Sequence, residues 1–166
     1  MNKLIKLDSL PELFLLVKYE EKHYTDCFCI EIEKKLSFQE YVEAFYTTPL
    51  FKVERFILRF IGKPSSDLIA KQLAQDQTNK FAAWTVEQRT ENQLLLCDFM
   101  QKTRSCLMTE SKNGKTKLYF GSAVIFELSK KNNTLKEPLG FSLLSWFHLI
   151  YSKALLRAAF KRLNKD

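Results

Sequence analysis

Residues 141–163 read FSLLSWFHLIYSKALLRAAFKRL, and this stretch limits what the rest of the chain can be. It follows Pro138 and Gly140, which punctuate the segment before it. Phe147, Tyr151, Ala154 and Ala158 recur at helical spacing with Leu143, Leu144 and Leu155 beside them, so a helix with one broad apolar face is expected. Lys153, Arg157 and Lys161 form a basic row toward the C-terminal turns, where the helix dipole favours positive charge. Ser142, Ser145, His148 and Ser152 make a thin polar stripe, with Trp146 and Ile150 beside the basic row. A helix this apolar must be buried on much of its circumference. Its run without Asp, Glu, Lys or Arg, Pro138 to Ser152, is shorter than the ~20 apolar residues a membrane span needs. Packing into a sheet is the expected solution: Ala154 and Ala158 let a sheet come close, and Trp146 and Phe147 fill or line a space.

The sheet is readable upstream. Asn113-Gly114 predicts a two-residue type I′ hairpin. Its register then places Glu110 opposite Lys117, Met108 opposite Tyr119, Leu107 opposite Phe120, Cys106 opposite Gly121 and Arg104 opposite Ala123. Phe81 to Thr90 alternates, with Trp84, Val86 and Gln88 on one side and Thr85, Glu87 and Arg89 on the other. Turns at Glu91-Asn92 and near Gln101-Lys102 bound strands over 93–100 and 103–111, and the strand after the hairpin is expected to reach about Leu128. This makes a meander of about four strands. Tyr24 to Glu33 reads as an earlier strand that can pair with the sheet's edge.

Helices fill the gap between. Ser37 with Glu40 three residues on is a capping box, and the helix it opens ends by Thr48-Pro49. In the next helix Leu50, Val53, Phe56, Ile57, Phe60 and Ile61 are expected to face inward, with Lys52, Glu54, Arg55 and Arg59 on the wet side and Gly62 and Pro64 closing it. Ser65-Ser66-Asp67 opens a third, short helix through about Ala74. Residues 1–22 read as an N-terminal arm, with a short helix over Leu10 to Val17 covering an apolar patch; residues 23–166 form one domain. The expected fold is α+β: a curved antiparallel sheet wrapped around the long C-terminal helix, with two or three short helices after the first strand.

That order resembles the helix-grip fold of the START, Bet v 1 and polyketide-cyclase superfamily over roughly residues 24–163. The runs TRSCL at 103–107, FGSAV at 120–124 and FHLIYSKALLRAAF at 147–160 look like those of an uncharacterised bacterial branch of it. The resemblance implies a ligand cavity between the sheet and the last helix.

Composition narrows the function classes. At 166 residues, with 46% apolar and 27% charged residues, the chain is one globular domain with few breakers: four Gly and four Pro. The net charge of +7 is uneven: residues 1–62 carry nine Lys and Arg against ten Asp and Glu, and residues 63–166 carry seventeen against nine. A basic half reads first as a solvated surface, and otherwise as one that can face nucleic acid, an anionic lipid or an acidic partner. No Lys/Arg block or aromatic-basic repeat of a nucleic-acid module is present, so no nucleic acid is expected. Cys27, Cys29, Cys97 and Cys106 show no zinc-finger or C-x-x-C spacing and read as buried thiols; His23 with Cys27 and Cys29 lacks a fourth metal ligand. No metal and no cofactor are expected. The start, MNKLIKLDSLPELFLLV, is interrupted by Asp8, Pro11 and Glu12, unlike a signal peptide, and with the free cysteines this points to the cytoplasm.

The candidate ligand-binding residues are Trp84, Glu87, Arg89, Arg104, Tyr119, Phe147, His148 and Tyr151. No nucleophile elbow, P-loop or dinucleotide motif occurs, and no catalytic residue is assigned. Trp84, Tyr119, Trp146 and Tyr151 can line an apolar cavity with polar tips, or simply fill a core. Glu87, Arg89 and Arg104 are either an ion network on the sheet or, with Arg104 inward, an anchor for a carboxylate or phosphate. His148 is either a structural hydrogen-bonder or a polar group at the cavity. Three functions compete. The first is binding of a small apolar or lipid-like ligand, with an acidic group anchored by Arg. The second is an interaction protein with a filled core on an acidic partner or anionic membrane. The third is a cyclase- or hydratase-like enzyme using His148 with Tyr151 or Glu87, marked by two titratable groups converging in one pocket.

Overall fold

A computed structural model describes residues 3–128, 135–136 and 141–165, with side chains described for 3–126 and 149–165. The elements are β1 (Ile5–Lys6), α1 (Val17–Glu20), β2 (Tyr24–Ile32), α2 (Phe38–Tyr46), α3 (Pro49–Phe60), α4 (Asp67–Ala74), β3 (Lys80–Phe81), β4 (Trp84–Thr90), β5 (Gln93–Asp98), β6 (Thr103–Lys112), β7 (Lys115–Val124), β8 (Glu127–Leu128), β9 (Leu135–Lys136) and α5 (Phe141–Leu163). The fold is α+β. A curled, open, seven-stranded antiparallel sheet has the order β1-β2-β7-β6-β5-β4-β3, and the C-terminal helix packs against it. β8 and β9 form a separate two-stranded ribbon, so the strand after the hairpin stops at Val124, short of Leu128. Among the described residues no helix is long and apolar enough to cross a membrane.

The hairpin forms as expected. Asn113 and Gly114 have φ of +52° and +76°, the two positive values of a type I′ turn. All five expected pairs occur between β6 and β7, from Glu110 with Lys117 to Arg104 with Ala123. The first strand joins the far edge of β7, pairing Phe28 with Phe120. Alternation in β4 breaks at Glu87: Val86 pairs with Leu96 and Gln88 with Leu95, which leaves Glu87 as an extra, bulged residue. The expected two-sided pattern of β4 therefore fails beyond the bulge. Gln88 joins Glu87 on the Lys18 side of the sheet, and Arg89 turns toward α4.

Period-two alternation sorts the strands into two cores. Phe28, Ile30, Leu94, Leu96, Leu107, Leu118 and Phe120 point to the inner face, where they meet α2, α4 and α5. Cys27, Cys29, Leu95, Cys106, Met108, Tyr119 and Ala123 point to the outer face. The N-terminal arm covers that face with Phe14 and Leu16, both fully buried. Its helix is α1, four residues that start only at the last position of the expected Leu10–Val17 span, because Pro11 to Leu16 is folded into turns that aim Phe14 and Leu16 at the sheet. Gly121 makes room: a Cβ there would lie 2.6 Å from Phe14 Cε1, 2.8 Å from Leu16 Cδ1 and 2.9 Å from the Asp26 carbonyl.

Two helices sit differently from expectation. The capping box of Ser37 and Glu40 opens α2 as read, and Gly62 closes α3 with φ of +73°. But beyond Leu50, which is half-buried against the inner core as expected, α3 faces the other way round: Phe51 is its buried residue, while Val53, Phe56, Ile57, Phe60 and Ile61 are exposed. Phe51 packs against Phe45, Tyr46 and Phe81, and Arg55 is drawn in by the Tyr46 and Ser65 carbonyls and by Asp67. In α5 the buried line runs through Ser152, Leu155, Leu156, Ala159 and Leu163, with Ala154 and Ala158 only half-buried. The helix is thus rotated from the expected face, so that the polar stripe enters the core at Ser152. Arg162 fastens its end by donating to the Thr47 carbonyl at the end of α2, at 3.0 Å.

Candidate functional site

A cavity of about 170 Å³ lies on the inner face, between the sheet and α5. Its apolar wall is aromatic. Phe45 from α2 stacks at 4.8 Å from Phe120 of β7, and Phe51 of α3 lies 5.6 Å from Trp84 at the start of β4. Tyr46 is fully buried here, and burial pushes its phenol far up, against the opposing effect of Ser105, so it stays neutral.

The polar lining comes from facing helices. Glu54 of α3 accepts a hydrogen bond from the Tyr151 hydroxyl of α5. Burial raises the Glu54 carboxyl above its ordinary value, and the Tyr151 bond opposes this only in part. Tyr151 is likewise pushed up, first by burial and then by the charge of Glu54. One residue on, the Ser152 hydroxyl is completely buried and has no hydrogen-bond partner among the described residues. The site therefore holds a carboxyl–phenol pair, a free buried hydroxyl and an aromatic wall. It can hydrogen-bond a neutral polar group and enclose an apolar one.

Of the sequence candidates, Trp84 and Tyr151 line this cavity. Arg104 borders it, but its guanidinium is committed to Glu87, the Tyr19 hydroxyl and the Gln101 and Thr103 carbonyls. It is not an inward anchor, because β6 alternation sends its side chain to the face covered by the arm. Glu87 is there too, held by Lys18 at 2.7 Å, Tyr19 and Arg104. Burial works against its charge, yet those partners outweigh it and hold the carboxyl below its usual range. This is the ion network of the sheet surface, and it ties the arm down. Arg89 is separate from it, donating to the Leu73 carbonyl at 2.7 Å and pairing with Asp76 at 2.9 Å. Tyr119 lies on the outer face and donates to Glu110. Phe147 and His148 belong to α5, but their side chains lie outside the described residues.

Glu54, Phe51 and Ser152 were missed as site residues. Glu54 is the sole acid between Pro49 and Lys63, and only the orientation of α3 turns it inward. A larger depression of about 630 Å³ lies on the outer face between residues 3–11 and the β2–β7 pair, with Tyr119 and Lys117 on its floor. It is the more open of the two and has neither the aromatic wall nor an unpartnered buried hydroxyl, so the inner cavity is the better site. Among the described residues no group of three or more His, Cys, Asp or Glu is placed to hold a metal, and His23 Nδ1 accepts the Phe126 amide instead. The four thiols are free, three of them buried.

No family model, curated protein or solved structure matches the chain.

Proposed function

We propose that the protein binds a small apolar or lipid-like molecule carrying one polar group, in the cavity between the sheet and α5 of a helix-grip arrangement. The Ser152 hydroxyl carries the reading. Leaving a buried hydroxyl unpartnered costs about 1–3 kcal/mol, and alanine at that position would avoid the cost. A ligand hydroxyl or carbonyl beside Ser152 and the Glu54–Tyr151 pair supplies the missing partner, while Phe51, Trp84 and Phe120 enclose its apolar part. A volume near 170 Å³ suits one ring or the end of a chain: a cavity of ~150 Å³ takes benzene, and drug-sized ligands need roughly 300 Å³ or more. The free thiols support a reducing, cytoplasmic setting.

The test is native mass spectrometry of the purified chain, followed by titration of whatever molecule is retained. Ser152→Ala should weaken binding by about 1–3 kcal/mol and leave the ligand-free melting temperature equal or higher. A protein that retains no small molecule, or a variant that binds as tightly as the parent, would overturn the proposal. The convergence of Glu54 and Tyr151 favours a second reading, proton transfer to a bound substrate. Under that reading Glu54→Gln leaves binding intact and stops turnover of the retained compound.

A further inference from the structure

The outward face of α3 has no cover. Val53, Phe56, Ile57, Phe60 and Ile61 share one side of the helix and its end, and each is between 57% and 76% exposed. The Phe56 and Phe60 rings meet edge to face at 5.1 Å, forming one aromatic ridge. The turn between β5 and β6 adds Phe99 and Met100, both more than half exposed, and the Lys63 amine sits 5.1 Å over the Phe99 ring. That contact places the turn beside the C-terminal end of α3. A soluble surface seldom gathers this many large apolar side chains without a purpose.

The charges around the ridge identify its occupant. Between Pro49 and Lys63 the chain has four cations and one acid, Glu54, which points into the core against Tyr151. Lys52 and Arg55 are paired with Asp67. Arg59 and Lys63 have no carboxylate partner among the described residues, and they flank the ridge at its C-terminal end. An apolar helical face with aromatic side chains and adjacent cations suits the plane between acyl chains and anionic headgroups. A second copy of the chain does not fit as well, because a two-fold contact through this face would bring Arg59 and Lys63 near their own copies with no acid between them.

We propose that α3, with the Phe99-Met100 turn, docks the protein on an anionic lipid membrane. Phe56, Ile57 and Phe60 enter the interface, while Arg59 and Lys63 reach the headgroups along their own aliphatic stems. The proposal does not depend on the cavity, although α3 would serve both: Phe51 and Glu54 on its inner side are cavity wall.

Vesicle flotation tests this with the full chain. Vesicles of phosphatidylcholine with phosphatidylserine should carry the protein upward, phosphatidylcholine alone should carry little, and added salt should release it. Arg59→Glu should weaken binding roughly thirtyfold, since two charge units change at the surface. The double variant Ile57→Ser, Phe60→Ser should abolish flotation with no fall in melting temperature, as both side chains are exposed already. As a direct reporter, Phe60→Trp should gain a blue-shifted component of fluorescence on adding anionic vesicles. The proposal is overturned if the parent fails to float, if neutral vesicles bind equally, or if the double variant still binds. It is also overturned if Phe60→Trp shows no shift, or if the parent proves to be a dimer that the double variant splits.

Discussion

Gly121 offers the sharpest test of how the arm and the sheet meet. Replacing it by alanine puts a methyl group 2.6 Å from Phe14 Cε1, 2.8 Å from Leu16 Cδ1 and 2.9 Å from the Asp26 carbonyl oxygen. Carbon atoms settle at ~3.5–4.0 Å, so the two side-chain contacts are each closer by roughly 0.7 Å or more than packing allows, and the carbonyl oxygen is also inside contact distance. Asp26 belongs to β2, which pairs with β7 through nine residues, so its carbonyl cannot retreat without opening the ladder. The arm must yield first. If it repacks in place, overpacking costs about 1–3 kcal/mol. If Phe14 leaves its site, about 1.5–3 kcal/mol of burial is lost. Both routes give the same order, near 2 kcal/mol, or a fall of roughly 4–8 °C in melting temperature for a chain of this size. Urea unfolding of Gly121→Ala, alone and combined with Phe14→Ala, measures it. The penalty should shrink in the Phe14→Ala background, because the closest atom is gone. An unchanged midpoint for Gly121→Ala refutes the packing. An equal penalty in both backgrounds assigns the block to the Asp26 carbonyl and removes the arm from the argument.

Two further outcomes are expected. Gly114→Val forces a β-branched residue to φ of +76° in the hairpin and should cost about 1–3 kcal/mol in the urea midpoint; no change would mean the turn is not held as described. Glu54 has a raised folded value, so its contribution to stability is fully present below its ordinary 4.5 and is lost as pH rises through the folded value. Glu54→Gln keeps the acceptor without the charge, so the variant should match the parent in acid and exceed it at neutral pH. Parallel unfolding curves for the two proteins at every pH would show that the carboxyl is not buried.

Where a local rule and the tertiary contacts agree, the sequence was enough. The Asn-Gly turn determines its own geometry, and period-two alternation then places every residue of β6 and β7, so Arg104 on the outer face followed once the outer face was known. The bulge at Glu87 has no such signature. It inserts one residue into β4 without glycine or proline to mark it, and it changes the face of everything after it, which parted Arg89 from Glu87. The rotation of α5 was hidden for another reason. Its upper half is apolar nearly all round, so hydrophobic pattern alone does not select a face, and the choice fell to contacts that Leu155, Leu156 and Ala159 make with α2 and the sheet. Ser152 was visible as part of a polar stripe, but its value to the site lies in being buried without a partner, and that is a property of the fold.

The inversion of α3 has a different origin. An amphipathic period says that a helix has an apolar face and is silent about what that face meets. The usual assumption turns it inward, and here the inward side is instead taken by Phe51, Glu54 and Arg55. These three make specific contacts: Phe51 with the ring cluster of Phe45, Tyr46 and Phe81, Arg55 with two carbonyls and Asp67, and Glu54 with Tyr151. Rolling the helix by half a turn would bury Val53, Ile57 and Phe60 for about 1.5–3 kcal/mol each. It would also strand Asp67 and expose Phe51, and it would remove the Glu54–Tyr151 bond from the cavity wall. A helix that gives up several kcal/mol of burial to keep a carboxyl facing inward has a use for both of its sides. The proposed cavity would account for the inner one, and the proposed docking on a lipid surface, in which the exposed side chains are again out of water, would account for the outer one.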